Sequence, residues 1–442
     1  MRYFASAFFF SCFVLGSVAA AASPITVVPL TNESQLVLVP ETLGIVVNAN
    51  DPQSVELGRQ YARIRGVPAS NIIQLRLPKV NYIAKHLMVR ELERLRAAPA
   101  YDKLLAFALA FDKPYKVDAN QSITSAISQG IATMTWKGSC NATVENPDAD
   151  ATAGVRLNAK PSMLLFGGGS LAESVALASR GKAADASDPP GDVFLVKTNN
   201  TARSRPREAS MDRALASVGE EITVTVTKAQ ALTAKAGVIG FQTGLPVLKD
   251  LGTFNFLPGA FADHLTSFGG AIGENRGQTP ITELIRTGAT ASYGTVREPC
   301  NFPEKFPDPE RLLRNYLHGD SIIEAYWKSL SMTTEGLLIG EPLARPFPVV
   351  SADLSGTTLT FKVNRHTQSF LLDAKGSLQD GVSTQGMPEN IPVGIYDVTA
   401  GHPVLLGDFT IQATMKDGAL IGRLELSKAP KADLILGMRP RR

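Results

Sequence analysis

"TLGIVVNANDPQSVELGRQYARIRG", residues 42–66, sets the grammar of most of the chain. Its first part is an apolar, β-branched run that stops at Asn48. Asp51 followed by Pro52 supplies a helix N-cap and a proline at the first helical position. Val55, Leu57, Tyr61 and Ile64 then recur at helical spacing, and Gly66 ends the pattern. The same sequence of signals repeats downstream. "NIIQLRLP" (71–78) reads as a strand, "HLMVRELERLRAA" (86–98) as an amphipathic helix and "KLLAFALAF" (103–111) as a third strand. This alternation implies a parallel sheet with helices on its faces, because parallel neighbours need long crossover connections.

The middle of the chain continues the theme. "SMLLFGG" (162–168), "DVFLVKT" (192–198), "EITVTVT" (221–227) and "GVIGFQT" (237–243) are strand candidates separated by loops rich in Pro, Gly and Asp. "ITELIRTG" (281–288) is a helix that delivers the chain into the strand "ATASYG". "DPERLLRNYLHGDSIIEAYWKSL" (308–330) gives two helices split at Gly319, and "GLLIGEPLARPF" one more short strand. The expected fold over residues 40–348 is therefore α/β, a doubly wound, mostly parallel sheet. From Pro348 onward short strands follow one another with turns and no helical pattern. Residues 349–442 thus read as a small all-β, sandwich-like module, with the boundary in the proline-rich 341–350.

The first residues, "MRYFASAFFFSCFVLGSVAAAASP", have a basic start, a short apolar core and small residues at the end. They read as a secretory signal peptide over 1–22, and the protein as exported, periplasmic or extracellular. No later run approaches the ~18 apolar residues of a spanning helix, so no integral membrane segment is expected after cleavage. The net charge is +3, and loss of Arg2 lowers it by one. That is no nucleic-acid signature, and the basic scatter "ARSRPRE" (202–208) reads as a solvated loop. The five histidines, at 86, 264, 318, 366 and 402, have no metal-ligand spacing among themselves or to a cysteine. "FGGGS" (166–170) lacks the lysine and the glycine spacing of phosphate-binding motifs and reads as a tight strand-to-helix turn, so no cofactor is expected.

Two stretches carry the candidate chemistry. "PGAFADHLTSFGG" (258–270) places His264 after the strand 237–243, and "GATASYGTVREPCN" (288–301) leads out of the next strand to Cys300. Consecutive parallel strands set their C-terminal ends side by side, where open α/β sheets build their sites. His264 is the candidate general base, since imidazole titrates near neutral pH. Cys300 is the candidate nucleophile, and Ser292 takes that role if Cys300 is bonded. Asp263 could orient the imidazole only if the chain turns there, since adjacent residues of a strand or helix point apart, and Glu298 could meet a basic substrate group. Each has a structural alternative: a histidine bonded to backbone, and a serine filling a small space. With Cys12 removed, Cys140 and Cys300 are the only cysteines. In an oxidising compartment an even pair invites a disulfide. A disulfide, a buried thiol and a nucleophile all remain open for Cys300 at this level.

"VVNANDPQSVELGRQYARIRGVPASNIIQLRLP", "SITSAIS", "GATASYGTVREPCNFPEKFPDPERLLRNYLHGDSIIEAYWKSL" and "LLIGEPLARPF" resemble a family of exported bacterial proteins to which no activity is attached. In that family the "EPCN" cysteine often accompanies an earlier one near the position of Cys140, which implies pairing. The order of a His-bearing loop, a helix, an Ala-rich strand and a late "EAYW…IGEP" is also similar to gingipain-type peptidases of the caspase-like fold. Those end one strand in His-Gly and the next in Ala-Cys. Here His264 precedes Leu265, and Ala291-Ser292 puts serine where the nucleophile stands. The resemblances imply a caspase-like scaffold that binds an unknown ligand or peptide without peptidase chemistry, the alternative being a secreted hydrolase using His264 with Ser292 or Cys300.

Overall fold

The computed structural model describes residues 25–30, 35–118, 120–132, 140, 142–232, 235–348, 350–363, 390–413, 420–428 and 434–440. The stretch read as a signal peptide, 1–22, lies outside the described residues. The elements are β1 (Thr26–Pro29), β2 (Leu43–Asn48), α1 (Pro52–Arg65), β3 (Ile72–Leu75), β4 (Tyr82–Ile83), α2 (Lys85–Arg96), β5 (Ala106–Leu109), β6 (Lys116–Val117), β7 (Gln121–Ser122) and α3 (Ile123–Gln129). The chain continues through β8 (Ser162–Leu164), α4 (Leu171–Ala184), β9 (Asp192–Lys197), α5 (Thr201–Val218), β10 (Val224–Lys228), β11 (Val238–Thr243) and β12 (Phe256–His264). Then come α6 (Ile281–Arg286), β13 (Ala291–Thr295), α7 (Pro309–Leu317), α8 (Ile322–Lys328) and β14 (Gly336–Gly340). Six strands close the chain: β15 (Val350–Ser355), β16 (Thr358–Val363), β17 (Asn390–Asp397), β18 (Val404–Ala413), β19 (Leu420–Glu425) and β20 (Ile435–Pro440).

The signals of residues 42–66 act as read. Asp51 caps α1 by accepting from the Gln53 amide, and Gly66 ends it in the left-handed conformation at φ 73°. A Cβ on Gly58 would sit 2.3 Å from Val47 Cγ1, so glycine lets α1 lie close against β2. Ser54 fastens the same helix to two strands, accepting from the Asn48 amide and donating to the Ala110 carbonyl. Leu57 and Tyr61 are buried beneath it, each worth roughly 1.5–3 kcal/mol of apolar burial.

Ten strands form the main sheet in the order β10-β9-β11-β12-β13-β14-β8-β5-β2-β3. β10, β9, β11, β12 and β13 are successively parallel, as are β8, β5, β2 and β3. β14 runs antiparallel to β13 and joins β8 through Ile339 and Leu164. The mostly parallel α/β layer is thus the one expected. Two local readings are corrected. The "ARSRPRE" stretch is not a loop but part of α5, with Pro206 inside the helix and Arg207 buried. Residues 258–264 are not a loop after β11 but most of β12 itself, reached through a single turn at Leu251–Thr253.

The last strands form a separate seven-stranded sheet, β1-β20-β17-β18-β19-β16-β15. Its edge strands meet: Ile25, just before β1, bridges Ala352 of β15 and donates to its carbonyl at 3.2 Å. Where two stacked sheets were expected, one sheet curls on itself around Val27, Val350, Leu359, Phe361, Val393, Ile395 and Leu436. Closure removes the free edges that a short antiparallel sheet would leave. Among the described residues no helix is long and apolar enough to cross a membrane.

Val27→Asp places a carboxylate in this second core. The expected outcome is a loss of several kcal/mol locally, read as faster amide hydrogen exchange in β15 and β20 with the main sheet unchanged. Retained protection in β15 and β20 would show that β1 does not close the sheet.

Candidate functional site

The end of β12 sorts its residues by the pleat of the strand. Phe261 and Asp263 face the helices α7, α8 and α5, and Phe261 packs edge-on against Tyr316 and Tyr326. Asp263 is buried there and accepts from Arg207 of α5 at 2.5 Å, from Gln242 at 2.8 Å and from the Tyr326 hydroxyl at 3.5 Å. Arg207 also donates to the Thr243 carbonyl at 2.7 Å. Burial, and then the negative charge of Asp263, hold the Tyr326 hydroxyl protonated well above its usual range.

His264 points the other way, towards α6 and the loop ahead of it. It is fully buried. Its Nδ1 lies 2.6 Å from the Leu245 carbonyl oxygen and its Nε2 2.9 Å from that of Thr279. Burial pushes the imidazole pKa below its ordinary value, and the two carbonyls and Asp263 only partly oppose it. Asp263 therefore does not touch the ring, because neighbours on one strand point apart and the chain does not turn between them. Ser292 follows Ala291, which pairs with Phe261, so continuing the register sets it opposite Ala262 on the His264 face. It is fully buried near the start of β13, and its Oγ has no hydrogen-bond partner among the described residues.

Cys300 stands at disulfide distance from Cys140, with Cα atoms 5.2 Å apart across 160 residues of sequence. Of the three readings, pairing is the one the structure shows. Cys300 and Asn301 both adopt left-handed backbone, and the Glu298 carboxylate is used locally, accepting from the Cys300 amide at 2.9 Å. The Cys140 segment is held further on by Thr143, which donates to Glu335 at 3.2 Å, while Lys305 donates to the other oxygen of that buried carboxylate at 2.7 Å. The rim of β13 is thus covered and tied down.

An open cleft of about 470 Å³ lies beside this rim, where the loops after β5, β8 and β12 meet α6. Asp112 and Lys113 line it from the β5 loop, Gly168 and Gly169 from the β8 turn, Glu274 from the β12 loop and Arg286 from α6. The glycine turn is the tight strand-to-helix connection read from sequence, with Ser170 and Glu173 forming a capping box for α4. Lys116 at 2.5 Å, Tyr115 and Arg276 all donate to Glu274; burial opposes them, but together they hold its carboxyl down at about 2. Arg286 is likewise engaged, by the Gly168 carbonyl and Glu283. Asp112 and Lys113 are only partly buried and have no hydrogen-bond or ion-pair partner among the described residues. Sequence reasoning passed over this cleft. Its one signal was the "FGGGS" turn, and its other walls come from loops more than fifty residues away on one side and about a hundred on the other. Among the described residues no group of three His, Cys, Asp or Glu is placed to hold a metal ion. Comparisons with family models, with curated proteins and with solved structures find no match to this chain.

Cys300→Ser is expected to lower stability markedly, with an upper figure of about 5 kcal/mol for a closed loop of this length in the chain-entropy model. The Cys140→Ser/Cys300→Ser double variant should cost no more than the single one. Thermal unfolding with and without reductant checks this, and additive losses would show that the two residues act separately.

Proposed function

We propose that the chain is an exported protein that works by binding a small ligand in the cleft between the β5, β8 and β12 loops, on a caspase-like scaffold that carries out no peptide hydrolysis. The observation that carries this reading is the setting of His264: both ring nitrogens lie against backbone carbonyls, one of which accepts from the neutral ring's single N–H, and no solvent or substrate reaches the ring. A general base needs a free nitrogen within hydrogen-bond reach of the proton it takes. Ser292 is enclosed near the start of its strand rather than at the C-terminal rim where α/β sites form. Cys300 is held at disulfide distance, which supports an oxidising compartment and withdraws the thiolate that attack would require. The cleft, in contrast, is open, of ligand size, and two of the charges that line it, Asp112 and Lys113, have no partner among the described residues.

Purified mature protein tests this. A fluorogenic peptide and ester panel should give no turnover above the blank. A thermal-shift panel of small charged metabolites should find compounds that raise the melting temperature, and Gly169→Phe, which fills the cleft from an exposed position, should abolish the shift. Turnover that His264→Gln or Ser292→Ala removes would overturn the proposal in favour of the hydrolase.

A further inference from the structure

The charges of the cleft are not equivalent, and their bookkeeping points to a ligand class. Glu274 is ion-paired with Lys116 and Arg276. Arg286 is ion-paired with Glu283 and Glu173. The charged lining residues without a partner among the described residues are one carboxylate, Asp112, and one ammonium, Lys113. Neighbouring residues of one loop present opposite signs to the same space. A ligand of one sign would satisfy one of them and be repelled by the other, since like charges in a partly enclosed site cost free energy. A ligand carrying both signs satisfies both, each through a charge-assisted hydrogen bond of roughly twice the ordinary strength. Between the polar groups lie Phe166, Ile272 and Pro280, which give the body of such a ligand an apolar wall. The volume, about 470 Å³, suits a molecule of amino-acid to short-peptide size rather than a folded partner.

We infer that the cleft takes a small zwitterion, an amino acid or a di- or tripeptide with both termini free, its ammonium on Asp112 and its carboxylate on Lys113. This rests on the binding reading above and narrows it.

The test is calorimetric titration of alanyl-alanine, N-acetyl-alanyl-alanine and alanyl-alanine amide into the mature protein. The free dipeptide should bind at least about tenfold more tightly than either capped form, the loss of one charged contact. Asp112→Asn should weaken the free dipeptide but not the N-acetylated form, which is relieved of a like-charge repulsion, while Lys113→Gln should weaken it but not the amide, for the same reason. Both side chains are partly exposed, and circular dichroism of each variant checks the fold. Capped forms binding as tightly as the free dipeptide, variants that weaken all three compounds equally, or no binding of the free dipeptide would each overturn the zwitterion assignment. If a singly charged compound still shifts melting in a way that Gly169→Phe removes, the cleft stays a binding site of another class. If none does, both readings fall.

Discussion

Successive residues of a strand cannot face the same way, and at Asp263 and His264 that rule organises the rest of the site. The carboxylate goes to the face covered by α5, α7 and α8, where it needs a cation, and Arg207 supplies it from the middle of α5. Removing one partner of such a buried pair typically costs about 3–5 kcal/mol, so the pair anchors α5 to the sheet. The imidazole goes to the opposite face, where the chain on either side of it closes over the ring through Leu245 and Thr279. The carboxylate and the imidazole, adjacent in sequence, are held apart by the backbone that joins them.

Closure of that rim displaces the open space sideways. The Cys140–Cys300 pair and the buried Lys305–Glu335 contact hold loops over the exit of β13. What stays accessible is the ground between the β5, β8 and β12 loops, where Gly168 lies close against Arg286 and leaves no room for a side chain. One part of the rim is packed against its own backbone, while the next is open and includes two charges, Asp112 and Lys113, that no other described residue engages.

Much of this was legible beforehand. The Asp51-Pro52 cap, the Gly66 stop and the apolar runs of β2, β5, β8 and β9 are local signals that survive in the fold. The failures are equally physical. Pro258 and Gly259 read as a loop because both disfavour regular strands. In fact the β11 register shifts between Val238 and Gly240 opposite that part of β12, and Gly259 takes a φ of 90°, so the breakers sit in an irregularity of a real strand. Arg207 read as a solvated charge because its partner lies 56 residues away. The role of β1 was hidden because four residues beside the N-terminal segment carry no periodicity, and only pairing with β20 makes them a strand. The cleft was hidden for the same reason: no one of its loops has a motif, and the unpaired charges become visible only when the paired ones are assigned.

If the β12 rim is structural, the ring of His264 is where this can be read. Nuclear magnetic resonance of the imidazole carbons and nitrogens, followed from pH 8 down to the onset of acid unfolding, reads its charge. Because burial lowers its pKa below the ordinary value, the ring should stay neutral below pH ~6.5, protected from solvent exchange. The folded state then loses stability as pH falls below that point, since the unfolded chain binds the proton first. A His264 ring that titrates at or above the ordinary value, in fast exchange with water, would contradict it and return the rim to the list of active sites.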